Sequence, residues 1–229
     1  MKYQNKEGWL FVAPLLCWLA FSICVPLYIA IELSFFDIKI IGTEGKFVGF
    51  KNYIKTLNSS KFPKALTNSI YWVLANAVTQ TFFAFLIALT LNKHFKGVKI
   101  ATNWIILSFI IPTVVIVVIW KLMLSSSSGI INSLLVQLHI IDKPIGFFSS
   151  STSAFVSLVL INSWRWSPFL ALIILSGLKS IHQEIYDASK IDGAGFFAEF
   201  FQITLPQLKG VLFVLGLVGT LLSFNVFDI

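Results

Sequence analysis

EIYDASKIDGAGFFAEFFQITLP, residues 184–206, is a polar interruption between two long apolar runs, and its reading decides the fold. It holds four of the chain's ten acidic residues: Glu184, Asp187, Asp192 and Glu199. Just upstream, Ser180 and Gln183 have capping-box spacing, which predicts a helix beginning at Ile181. Ile181, Ile185, Ala188 and Ile191 then recur at helical spacing, so one face is apolar and the other charged. Gly193 is placed to stop that helix, because glycine accepts the left-handed backbone of a C-terminal cap. Phe196, Phe197, Phe200 and Phe201 fit a second short helix. Pro206 is placed to open the next apolar helix, where its missing N–H costs nothing.

Outward from this stretch the chain reads as an all-α polytopic membrane protein. Apolar residues make up 57% and charged residues 12%, about half the charge of an ordinary soluble domain. Spans are expected at about 9–33, 66–92, 100–122, 154–178 and 207–229, each long enough for a hydrocarbon layer about 30 Å thick. Pro14 and Pro26 are expected to bend the first; Pro112 lies in the third, and Arg165 and Pro168 interrupt the fourth. Residues 32–64 and 125–153 are polar and are expected outside the membrane. The first run is too long for a cleaved signal peptide and lacks a small-residue exit site, so it is expected to stay as an anchor. Cys17 and Cys24 lie seven residues apart on it, about 10 Å by helical rise and too far to bridge, and read as packing residues.

The net charge of +7 comes from lysines scattered over loops. Membrane lipid and topology account for it, and no nucleic acid is implied. There is no GxxxxGK[ST], HExxH or GxSxG, and His94, His139 and His182 lack metal-ligand spacing. P-loop nucleotide binding and hydrolysis by those patterns are excluded for this chain.

Asp187-Ala188-Ser189, then three residues, Gly193, nine residues and Ile203-Thr204-Leu205-Pro206 together resemble the EAA loop of bacterial ABC-transporter permeases. Asp187 and Ser189 depart from the family's usual Glu and Ala. Phe47–Tyr53 resembles the VGxxNY signature of sugar-type permeases, and Gly129–Leu135 their GxxNxxL feature. The resemblance implies a transporter subunit rather than an enzyme, in the bacterial inner (plasma) membrane. It implies a second permease subunit, an ABC ATPase dimer, an extracytoplasmic solute-binding protein and a carbohydrate substrate as partners. ATP and Mg would sit on the ATPase, so no cofactor is expected in this chain. Six spans are usual in such permeases and five are visible, so the chain is expected to be incomplete at its C-terminus. With the N-terminus inside, eight lysines fall on each side, so charge does not choose the orientation. The resemblance chooses it: the loop 180–206 has to be cytoplasmic, and with it the N-terminus. A non-ABC secondary transporter or membrane enzyme is the rival class, but such transporters tend to carry inverted repeats, and none is visible.

The resemblance makes Glu184, Asp187, Ala188, Ser189, Gly193, Ile203, Leu205 and Pro206 the ATPase-coupling residues. Asp187 would be the charged anchor, Ala188 would permit close approach, and Gly193 would form the bend. For the substrate pathway, Asn162, Arg165, Trp166 and Phe169 share a helical stripe. Leu221, Phe224, Asn225 and Asp228 form a matching one on the last span. Aromatic faces beside amides suit a sugar. The alternative is helix packing, with Arg165 paired to Asp228 or another acid. An ionised Arg165 in mid-span costs about 2.5–3.5 kcal/mol, so it should face a cavity or a partner. It would also suit an anionic substrate such as glycerol phosphate or an acidic sugar. Asn68, Asn76 and Gln80 read as amides that join helices.

Overall fold

A computed structural model describes residues 5–38, 45–93 and 95–224. Two compact units divide between Thr67 and Asn68.

In the first unit, α1 (Asn5–Ser34) runs unbroken through Pro14 and Pro26. Cys17 and Cys24 are exposed on it, which corrects their reading as packing residues. The expected loop after it is folded. Strands β1 (Phe36–Asp37) and β2 (Lys46–Phe47) pair antiparallel, and α2 (Lys51–Leu57) follows. The Asn52 side-chain amide donates to the carbonyls of Ser34 (2.9 Å) and Phe36 (3.0 Å). The hydroxyls of Tyr53 and Ser34 lie 2.6 Å apart, and the Phe35 ring meets Phe50 edge-on at 5.3 Å. Gly49 takes the positive φ of 56° that turns the chain into α2. The Phe47–Tyr53 signature is thus a knot that ties the end of α1 to the hairpin.

Helix α3 (Lys61–Leu91) leads to α4 (Val98–Ile110), α5 (Thr113–Met123), α6 (Ile130–Gln137) and α7 (Ser151–Ser180). After these come α8 (Gln183–Ile191), α9 (Phe196–Ala198), a π-helical turn (Glu199–Thr204), α10 (Leu205–Gln207) and α11 (Lys209–Phe224). Ala84 and Ala88 of α3 meet Leu170, Ala171, Ile174 and Leu178 of α7, with Leu208 and Leu215 closing the core. At Gly177 any Cβ would come within 2.7 Å of a Leu208 methyl and 2.8 Å of a Val211 methyl, so the start of α11 seats directly on α7. Buried amides add to the contact: Asn162 Nδ2 donates to Asn76 Oδ1 at 2.7 Å, and Gln80 Nε2 to the same oxygen at 3.1 Å. Asn76 therefore joins α3 to α7, as its position implies, while Gln80 bonds to Asn76 within α3.

Among the described residues, three helices are long and apolar enough to cross a membrane, or four if one bent pair counts as a span. The expected span 100–122 is divided, because Pro112 offers no N–H to the preceding turn and drives Ile111 extended (φ −66°, ψ 132°). Neither Arg165 nor Pro168 interrupts α7, which is continuous. The last apolar helix starts at Lys209, after a bend of 73°. Pro206 lies before that bend, in α10, and so does not open α11. The polar stretch 125–153 contains α6, held by one buried residue. Asn132 donates to the carbonyls of Ser125 (3.1 Å) and Ile145 (3.0 Å) and accepts from the Ile145 N–H (2.8 Å). That clamp gives the GxxNxxL feature its physical content.

Candidate functional site

The segment after α7 is built by two local devices. The expected capping box at Ser180–Gln183 does not form. The α7 ladder runs through Ser180, whose hydroxyl bonds back to the Gly177 carbonyl at 2.7 Å, so α8 starts two residues later than expected. A capping box does form at Ser150–Ser153, where α7 begins. At its other end α8 stops at Gly193, φ 79°, with Gly193 N–H on the Lys190 carbonyl (3.1 Å) and Ala194 N–H on the Ser189 carbonyl (2.9 Å). This is the paired 5→2 and 6→1 closure of a left-handed helix end, and glycine fits it without strain.

The expected Ile181–Ile185–Ala188–Ile191 stripe is divided, its first two members half-buried and its last two exposed. Ile185 and Tyr186 are half-buried and Ser189 is buried, with the Tyr186 hydroxyl 3.2 Å from Thr204 Oγ1. Ala188 and Ile191 point outward beside Glu184 and Asp187, and Ile191 is 87% exposed. Asp187 accepts from Gln183 Nε2 at 3.1 Å and lies 4.0 Å from Lys190 Nζ, in an exposed pair. Phe196, Phe197 and Phe201 extend the exposed apolar surface, while Phe200 turns in against Phe85. Ile203 and Leu205 are half-buried and Pro206 is exposed. Glu184, Asp187 and Ala188 thus share one outward face. Ser189, Ile203 and Leu205 support it from within.

The α7 stripe divides. Asn162 is fully buried in the amide cluster with Asn76. Arg165, Trp166 and Phe169 are half-buried, and the Arg165 guanidinium lies 4.8 Å from the Trp166 ring centroid. On α11, Leu221 and Phe224 are exposed; Asn225 and Asp228 lie outside the described residues, as does any pairing of Arg165 with Asp228. Phe224 lines a cavity of about 340 Å³ with Asn68, Trp72, Phe155 and Ser223. Trp72 meets Phe155 edge-on at 6.0 Å, and its indole N–H bonds to the Ser223 carbonyl at 3.0 Å. The buried Ser223 hydroxyl has no partner among the described residues. The sequence reading did not place Trp72, Phe155 or Ser223 in a site. The i, i+4 spacing of Asn68 and Trp72 was a visible signal, but their joining to α7 and α11 is tertiary.

Comparison with known proteins agrees with this architecture. Residues 80–228 match the model of a family described as "Binding-protein-dependent transport system inner membrane component". A trehalose/maltose transport system permease protein, MalF, of Thermococcus litoralis is 32% identical over all of this chain and 77% of its own length. A lactose transport system permease protein, LacF, of Rhizobium radiobacter is 28% identical over 99% of this chain and 76% of its own. Among solved structures, a chain of a bacterial alginate ABC transporter, in complex with an alginate pentasaccharide-bound periplasmic protein, superposes with a TM-score of 0.76. It is 22% identical and covers 93% of this chain and 72% of its own, which is a likeness of fold. An apolar helical chain with an elbow after its best-buried helix, matched along most of its length, belongs to the family of inner-membrane components of binding-protein-dependent transport systems: it is a multi-pass membrane transport subunit and not itself an enzyme.

Proposed function

We propose that this chain is the permease subunit of an importer that moves a sugar or oligosaccharide, driven by a separate ATPase dimer that grips α8 from the cytoplasm. The observation that carries this is the outward face of α8. Glu184, Asp187, Ala188 and Ile191 stand exposed together on a nine-residue helix whose end is held by Gly193. An exposed apolar anchor ringed by charge suits docking into a groove, where apolar burial gives affinity and charge sets register. Closure of two ATPases would move α8, and through Ser180–Ile181 it would move α7. The N-terminus is then cytoplasmic, and a second permease and an extracytoplasmic binding protein complete the assembly. The sugar would meet the aromatic and hydroxyl lining of Trp72, Phe155, Ser223 and Phe224, with Arg165, Trp166 and Phe169 further along α7. Half-buried Arg165 favours an anionic sugar as the second reading.

The test is a single cysteine at Ile191 in a Cys17→Ala, Cys24→Ala background, in the complex assembled in membranes. Cross-linking of Ile191→Cys to the ATPase subunit, with no labelling by an external impermeant maleimide, is the expected result. Labelling from outside would overturn the orientation and the coupling role together.

A further inference from the structure

Behind the outward face of α8 lies a cavity of about 270 Å³, walled by the end of α3, the end of α7, α8 and the π-helical turn. Its polar lining includes Asn92, Lys93, Gln183, Tyr186, Lys190 and Glu199. Leu89, Leu178 and Phe200 form an apolar floor. Gln183, Tyr186 and Lys190 lie at i, i+3 and i+7, one stripe of α8, offset from the stripe Glu184–Asp187–Ala188–Ile191. One helix therefore presents one side outward and another to an open polar cavity.

We infer that this cavity is a phospholipid headgroup site, in which the phosphate sits between Lys93 and Lys190 and the lipid wedges the coupling helix against the ends of α3 and α7. The inference rests on the reading above that this end of the bundle faces the cytoplasm. Three observations favour a lipid over other occupants. The cavity opens where two spanning helices end, at the boundary between apolar core and polar loop. Its floor is apolar and its rim polar, which matches a headgroup above the start of acyl chains. Its rim carries two lysines against one carboxylate, and basic pockets between helix ends on the cytoplasmic side are where anionic headgroups bind. The second charge near Lys190 is Asp187, 4.0 Å away in an exposed pair, so Lys190 gives up little by turning to a phosphate. Glu199 suits the ammonium of an ethanolamine headgroup, so both phosphatidylglycerol and phosphatidylethanolamine belong to the class.

The experiment is native mass spectrometry of the assembled complex, released from nanodiscs of phosphatidylglycerol and phosphatidylethanolamine. A Lys93→Gln, Lys190→Gln double variant is compared with a Lys96→Gln, Lys99→Gln variant of equal net charge. Retained lipid is expected to fall about fivefold for each lining lysine removed, with no change in the control and recovery in Lys93→Arg, Lys190→Arg. Equal retention in the double variant and the control would overturn the inference. So would displacement of the lipid by inorganic phosphate alone, which would make this a soluble-anion site. Protection of both lysines by the bound ATPase in lipid-free detergent would overturn it in favour of a protein occupant. Co-purification of the ATPase, scored on the same samples, reports separately on the coupling reading.

Discussion

The middle of α7 and the outer face of α8 are helical stripes joined by two residues, and they use polarity in opposite senses. On α7 the polar residues are hidden: Asn162, Ser163 and Ser167 are at most 1% exposed, and Asn162 reaches across to Asn76. On α8 the apolar residue is the one on display, with Ile191 at 87%. Inside a bilayer an amide without a partner is costly, so amides find one another between helices. On α8 an isoleucine set among carboxylates gains nothing from water, and under the proposed coupling role a partner surface covers it. Polar groups are thus turned inward on α7 and an apolar one outward on α8.

The contrast can be broken most severely at the device that holds the docking face. Gly193→Pro is incompatible with a φ of 79° and with the Gly193 N–H bond to Lys190, so ATP-driven uptake should be lost while membrane insertion is retained. Normal uptake by that variant would remove α8 from the coupling route. Next, Ile191→Asp should weaken association with the ATPase by the burial of one aliphatic side chain, about 1.5–3 kcal/mol. The isolated permease should unfold at an unchanged temperature; a loss of its own stability would mean that Ile191 packs internally. On α7 the pattern inverts. Asn162→Leu should cost about 0.6–1.7 kcal/mol of helix association, measured by unfolding in detergent. A double-mutant cycle with Asn76→Leu should show the two effects to be non-additive; strict additivity would deny the shared hydrogen bond. The smallest effect is expected from Asp187→Asn. Its partners in this chain are exposed, so permease stability should be unchanged, whereas a drop in ATPase affinity that vanishes at high salt would identify Asp187 as an anchor.

Much of this was legible in the residues themselves. The helix stop at Gly193 follows from the one residue that accepts that backbone, and the paired phenylalanines gave the short helix after it. Spans at α1, α3 and α7 follow from length and hydropathy. What misled was local grammar overridden by neighbours. Ser180 has the right spacing for a cap, but its hydroxyl was taken by the turn of α7 that precedes it. Pro206 reads as a helix opener, yet the bend falls two residues later, where buried Leu208 lies against Gly177. Ala188 and Ile191 complete an apolar stripe with Ile181 and Ile185, yet only the latter two turn in, and Tyr186 and Ser189 share the inner face with Ile185.

By itself, then, the sequence determined a helical membrane chain, its punctuation by glycine and proline, and the polar stretch that interrupts its last apolar runs. Those properties depend on composition and on the conformational limits of single residues. Only the tertiary structure decided which face of α8 looks outward, which amides pair across α3 and α7, and which aromatics gather around the unpartnered Ser223 hydroxyl. Those choices depend on contacts between residues far apart in the chain, where close packing, and not local preference, carries the larger share of the free energy.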